Sequence, residues 1–146
     1  MSFRILTIGS FTLLHPGHLE LFNQCRYLAG EDGEVIVGVN SDDFILHYKG
    51  FTPFFDQQTR VEMVEAIRVV DRVIINNNYA DQSELIENEH PDILFIGQDW
   101  ALKDYYQQLG ITPKWLADRD ILLLYGPRTR GFSSSALIEN VKLGRA

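Results

Sequence analysis

The sequence predicts a doubly wound α/β fold: a five-stranded parallel sheet with helices on both faces. Three observations carry that expectation. Short runs rich in Val, Ile and Leu recur at residues 4–8, 34–39, 72–75, 93–96 and 121–125. They are nearly continuous in apolar residues rather than alternating, which suits strands covered on both faces. Helical patterns lie between them, and strand–helix alternation with right-handed crossovers builds a parallel, doubly wound sheet.

Each element has its own signal. The first strand, "RILTI", runs into Gly9. Pro16 is a natural first helical residue, and Leu21, Cys25 and Leu28 follow it on one face. After the second strand, residues 43–55 read "DFILHYKGFTPFF". With Gly50 and Pro53 inside it, that stretch is expected to be a long irregular loop, a kind of segment that tends to carry function. Asp56 caps the next helix, with Met63, Ile67 and Val70 on its apolar face. A short helix over 81–89 is stopped by Pro91, and another over 100–109 ends at Gly110. A last helix follows the serines at 133–135. No repeat, low-complexity tract or linker interrupts the pattern, so residues 1–146 read as one domain around one core.

Composition excludes some functions. With 45% hydrophobic and 23% charged residues the chain reads as an ordinary globular protein. A formal net charge of -7 argues against general binding to nucleic acid or to an anionic membrane, though not against a local basic pocket. The single cysteine, Cys25, cannot form an intrachain disulfide and sits where a small buried hydrophobe belongs. No signal-peptide pattern and no apolar run approaching the ~18 residues of a membrane span is seen, so a cytoplasmic protein is expected.

The segment "IGSFTLLHPGHLELF" holds His15 and His18 at the junction of the first strand and first helix. In such sheets ligands sit beyond the carboxyl ends of the strands. A helix N-terminus there offers N–H groups and a favourable dipole to an anion, and imidazoles can add donors to phosphate oxygens. Two other readings stay open on spacing alone. The histidines could simply decorate a loop, or ligate a metal. Two ligands are few for a metal, and only His47 and His90 remain elsewhere, without a cysteine pair. No metal ligands are therefore assigned.

The segments around them resemble the nucleotidyltransferase superfamily marked by His-x-Gly-His, in particular its cytidylyltransferase branch, and most closely the bacterial glycerol-3-phosphate cytidylyltransferases. Where those enzymes carry Gly-Thr-Phe-Asp-x-x-His-x-Gly-His, this chain has Gly9-Ser10-Phe11-Thr12-Leu13-Leu14-His15-Pro16-Gly17-His18. Where they carry Arg-Thr-x-Gly-Ile-Ser-Thr-Thr, it has Arg128-Thr129-Arg130-Gly131-Phe132-Ser133-Ser134-Ser135. Their Gly-Asp-Asp-Trp stands here as Gly97-Gln98-Asp99-Trp100. The likeness extends through "SDDF" at 41–44 and "RVEMVEAIRVVDRVI" from Arg60.

The resemblance implies a Rossmann-like fold, a homodimer, and transfer of CMP from CTP with Mg²⁺ to a small phosphate monoester such as glycerol 3-phosphate. ATP is the alternative nucleotide, and a non-catalytic nucleotide-binding module on the same fold is the alternative class. His15, His18, Lys49 and Arg128 are then the expected catalytic residues. The nucleotide would be held by Gly9, Ser10, Phe11, His15, His18, Asp99, Arg128, Thr129, Gly131, Phe132, Ser133 and Ser134. Lys49, Arg60 and Tyr79 would meet the acceptor, although Arg60 could equally pair with Glu62 or Glu65 on the surface. Two positions depart from the family. Its aspartate is Thr12 here, and its acceptor-associated lysine is Gln82. Either Lys103 supplies the missing charge or the acceptor differs from glycerol 3-phosphate; in both cases restoring lysine at 82 is expected to improve use of glycerol 3-phosphate.

Overall fold

In a computed structural model of the protein, residues 2–127 and 133–144 are described. The chain runs β1 Arg4–Gly9, α1 Pro16–Ala29, β2 Glu34–Asn40, α2 Asp42–Lys49, α3 Gln57–Glu65 and β3 Arg72–Asn76. It continues with α4 Ser83–Glu89, β4 Ile93–Gly97, a 3₁₀ turn Gln98–Leu102, α5 Tyr105–Leu109, α6 Pro113–Ala117, β5 Leu122–Gly126 and α7 Ser134–Lys142. The five strands form one parallel sheet in the order β3-β2-β1-β4-β5, with Leu6 of β1 beside Ile36 of β2 and Leu94 of β4. This is the doubly wound Rossmann-like sheet expected from the sequence.

Alternate strand residues feed two apolar layers. Ile5, Val35, Val37 and Phe95 pack with Phe22 and Cys25 of α1 and Val61 and Val64 of α3. Leu6, Ile36, Leu94 and Ile96 pack with Ile86 of α4, Leu109 of α5 and Leu116 of α6 on the other face. Cys25 is wholly buried, and desolvation pushes its thiol up to about 12, so it behaves as a hydrophobe. Burying strands on both faces removes the need for in–out alternation, which is why their runs are continuous.

The strand order places the crevice. From β1 the chain winds outward through β2 to β3, then returns to β4 on the other side of β1. The turns leaving β1 and β4 diverge, and ligands in such sheets bind at that point.

Several expected boundaries move. Residues 43–55 are not all irregular, since most of their first half is α2. Ser41 caps it by accepting from the Phe44 N–H at 3.0 Å, and Gly50 ends it in the left-handed region at φ 79. Acidic Asp42 and Asp43 in its first turn and His47 and Lys49 in its last complement the helix dipole. The Gly50 and Pro53 signals belong only to the segment after it. The helix expected over 100–109 is a 3₁₀ turn and a separate α5, because Asp104 starts a new cap on Gln107. α6 was not anticipated; Thr112 caps it and Pro113 opens it.

Candidate active site

The turn leaving β1 is shaped by Phe11. Its φ of 48 is a left-handed conformation that bulky residues seldom adopt. The ring folds back over Gly9, where a Cβ would come within 2.9 Å of it. It then meets His18 edge-on, with ring centroids 5.2 Å apart. A strained backbone thus sets an apolar wall behind His18.

The two histidines cap their own helix. His15 Nδ1 accepts from the Gly17 N–H at 3.0 Å, and His18 Nδ1 accepts from the His15 N–H at 3.3 Å. This is a reciprocal capping box built from imidazoles in place of the usual serine and glutamate. The rings stack at 3.8 Å. A ring nitrogen that accepts a backbone N–H carries no proton, so each neutral imidazole bears its proton on Nε2. Burial, reinforced by the charge of His15, lowers His18 to about 3. It is therefore a neutral N–H donor at physiological pH.

Both histidines line a cavity of about 480 Å³, a size suited to a small-molecule ligand. Three adjacent strands deliver its polar groups: β2 leads to α2 and Lys49, β1 to the histidines, and β4 to Asp99, Trp100 and Lys103. Partial burial lowers the Lys49 ammonium below its ordinary value. The Lys103 Nζ lies 5.1 Å from the centroid of the Trp100 ring. Among the described residues neither lysine forms an ion pair. Asp99 folds back on Gly97, where a Cβ would lie 2.8 Å from its Oδ1.

Beneath the cavity runs a row of side-chain amides across the sheet edge. Asn40 Nδ2 donates to Ser10 Oγ at 3.1 Å, and Asn76 Nδ2 donates to Asn40 Oδ1 at 3.0 Å and Gln82 Oε1 at 2.8 Å. Gln82 Nε2 donates to the Gln108 carbonyl at 3.1 Å. Arg60 lies under the same row and is 1% exposed. Its Nη1 donates to the Ser10 and Asn40 carbonyls, both at 2.7 Å, its Nε to the Phe55 carbonyl at 3.0 Å, and its Nη2 to Asp42 at 2.8 Å.

A family model described as cytidylyltransferase-like matches residues 6–140. The chain belongs to the cytidylyltransferase-like family. It is a nucleotidyltransferase by enzyme class. An FAD synthase of Korarchaeum cryptofilum is 28% identical over 142 residues, covering 97% of this chain and 92% of that protein. A glycerol-3-phosphate cytidylyltransferase of Staphylococcus aureus is 33% identical over 99 residues, covering 66% of this chain and 70% of its own length. Among solved structures, a lipopolysaccharide core biosynthesis protein of Thermoplasma volcanium superposes with a TM-score of 0.60 at 26% identity, covering 83% of this chain and 94% of that one.

Within this family member, Gly9, Ser10, Phe11, His15, His18, Lys49, Asp99 and Ser133, eight of the residues singled out in the sequence, line the cavity. Ser133 also caps α7 by accepting from the Ala136 N–H at 3.0 Å. Arg128, Thr129, Gly131 and Phe132 lie outside the described residues, as does the Ser134 side chain. Lys49 ends a helix rather than riding in a loop. Arg60 needs correcting outright: it neither faces the cavity nor pairs with Glu62 or Glu65, because its guanidinium is spent on protein acceptors. Tyr79 is not part of the cavity lining; its ring stacks on His47 at 4.5 Å.

The sequence reading missed Asn40 and Asn76. Their signal was present: each ends an apolar strand run with an amide at the ligand-binding edge. Among the described residues no three His, Cys, Asp or Glu side chains form a metal site. Asp99 is the one carboxylate among the described lining residues, which fits Mg²⁺ arriving with phosphate and water ligands of its own.

Proposed function

We propose that this chain transfers CMP from CTP to a small phosphate monoester, of which glycerol 3-phosphate is the model, and releases pyrophosphate. The histidine capping box carries the reading. It fixes two imidazoles with their protons on Nε2, at a helix N-terminus, in a cavity that also holds two lysines with no carboxylate partner among the described residues.

An oxygen of the acceptor phosphate attacks the α-phosphorus in line, and the bond to the pyrophosphate oxygen breaks with its electron pair. No covalent enzyme intermediate is required. Charge spreads over the equatorial oxygens, where His15 and His18 donate hydrogen bonds. A neutral His18 loses no proton in doing so and needs no reorganisation. Lys49 draws the acceptor's phosphate toward this point. Mg²⁺, bound by the triphosphate and Asp99, would supply electrostatic stabilisation of the phosphate charge. Arg128, Thr129 and the backbone of 131–134 are assigned to the nucleotide through the "RTRGFSS" likeness, which with "GQDW" favours cytidine. Residues 1–146 act as one catalytic domain in this reading, in a homodimer.

One finding favours a second reading. The similarity to an FAD synthase covers 97% of the chain, which supports adenylyl transfer from ATP to a flavin phosphate. Pyrophosphate release, measured for each nucleoside triphosphate against glycerol 3-phosphate, flavin mononucleotide and other monoesters, separates the two. Turnover of CTP with a small alcohol phosphate is expected. Turnover only of ATP with the flavin establishes the second reading. Nucleotide binding without pyrophosphate release from any pair refutes both.

A further inference from the structure

We propose that Lys103 binds the departing pyrophosphate end of the nucleoside triphosphate, on the flank of the histidines opposite Lys49. The inference rests on the nucleotidyl-transfer reading above and assigns a residue to that site.

The argument begins with the sheet. The order β2-β1-β4 places the histidine turn between the elements that carry Lys49 and Lys103. In-line displacement has the same three-part layout: the entering oxygen on one side of the α-phosphorus, the leaving oxygen on the other. With the imidazoles at the central phosphate, each flank receives an anion and each needs a cation. Among the described lining residues, Lys49 and Lys103 are the lysines and arginines available. Of the lining residues linked to the nucleotide, those outside the central β1 turn are Asp99 and Ser133, and both come from the β4 and β5 side, so the triphosphate shares that side with Lys103. The acceptor is left to Lys49.

Trp100 explains how the ammonium is kept in place. Lys103 is exposed and has no carboxylate partner among the described residues, yet it lies over an indole face. The Lys103 N–H also donates to the Trp100 carbonyl at 3.1 Å, closing the turn that brings the two together. An aromatic face orients a cation without neutralising it, and leaves ammonium hydrogens for phosphate oxygens. Gln82 offers no substitute on the other flank, since both ends of its amide are engaged by protein.

The test uses inorganic pyrophosphate as the probe, titrated calorimetrically into the wild-type chain and into the Lys103→Ala, Lys103→Arg and Lys49→Ala variants. Lys103→Ala should weaken pyrophosphate binding about tenfold or more and raise the KM of the nucleotide, with the acceptor KM within about twofold. Lys103→Arg should recover most of the loss. Lys49→Ala should do the reverse, raising the acceptor KM while sparing pyrophosphate. Unchanged pyrophosphate affinity in Lys103→Ala overturns the assignment, as does wild type that binds no pyrophosphate, or a rise confined to the acceptor KM. A wild-type chain that binds pyrophosphate but turns over no substrate pair refutes nucleotidyl transfer separately, and the binding comparison still judges Lys103. Urea unfolding of each variant confirms an intact fold.

Discussion

Replacing Arg60 with methionine tests whether this arginine holds the site together from below. Methionine fills similar volume but donates nothing. The Asp42 carboxylate, 32% exposed, can regain water, and Ser10 lies in the cavity lining. The Asn40 carbonyl sits at a buried contact and cannot. Stranding such an acceptor costs ~1–3 kcal/mol, and losing a hydrogen bond to a charged group costs ~1.5–3 kcal/mol. Together these come to about 4 kcal/mol. With a urea m-value of ~2 kcal/mol/M, the midpoint should drop by ~2 M. Because Ser10 loses its anchor, kcat should fall as well, although Arg60 touches no substrate. A surface ion pair would cost only ~0–1 kcal/mol. A folded Arg60→Met chain that loses less than about 1 kcal/mol and shows only a raised acceptor KM would refute the argument and return Arg60 to the cavity.

Other outcomes follow from the same geometry. His18→Asn keeps an oxygen to accept the His15 N–H but loses Nε2–H, so stability should hold while kcat falls by ~10²–10⁴; near-normal turnover would remove His18 from catalysis. His18→Ala should show that rate loss plus ~1 kcal/mol of destabilisation from the missing cap, read by urea unfolding. An unfolded His18 titrates near pH ~6.5, whereas the native one titrates at about 3. Between those values the unfolded chain binds the extra proton, so stability should rise with pH, and be lost as pH is lowered from ~6.5 toward about 3, by up to ~1.4 kcal/mol per unit, a slope that His18→Asn should flatten. Gln82→Lys should destabilise by ~2 kcal/mol, since Asn76 Nδ2 loses an acceptor and a charge enters a site 2% exposed; a gain in glycerol 3-phosphate use without stability loss would contradict this.

The sheet was legible because burying a parallel strand on both faces leaves an unbroken apolar run, a purely local signature. The histidines were legible as a pair at a strand–helix junction. Their mutual cap was not, because it depends on which ring nitrogen turns toward the backbone. Arg60 was misread for a related reason. Its partners lie up to 50 residues away, at Ser10, and nothing near position 60 announces them. α2 was hidden by Gly50 and Pro53, whose signals are strong but act only downstream of the helix they terminate. α6 spans five residues, too few for an apolar period to register.

The amide row from Ser10 to Gln82 has a mechanical consequence. It spans the ends of β1, β2 and β3, so the wall after β3 and the turn after β1 are joined by a single crossbar. Amides donate and accept directionally, and reversing one obliges its neighbours to reverse too. Tuning for a new acceptor at position 82 would therefore disturb Ser10 at the histidine turn. A chain of this design should change its acceptor by exchanging Asn40, Asn76 and Gln82 as a block, and single substitutions along the bar should lose activity before they redirect it.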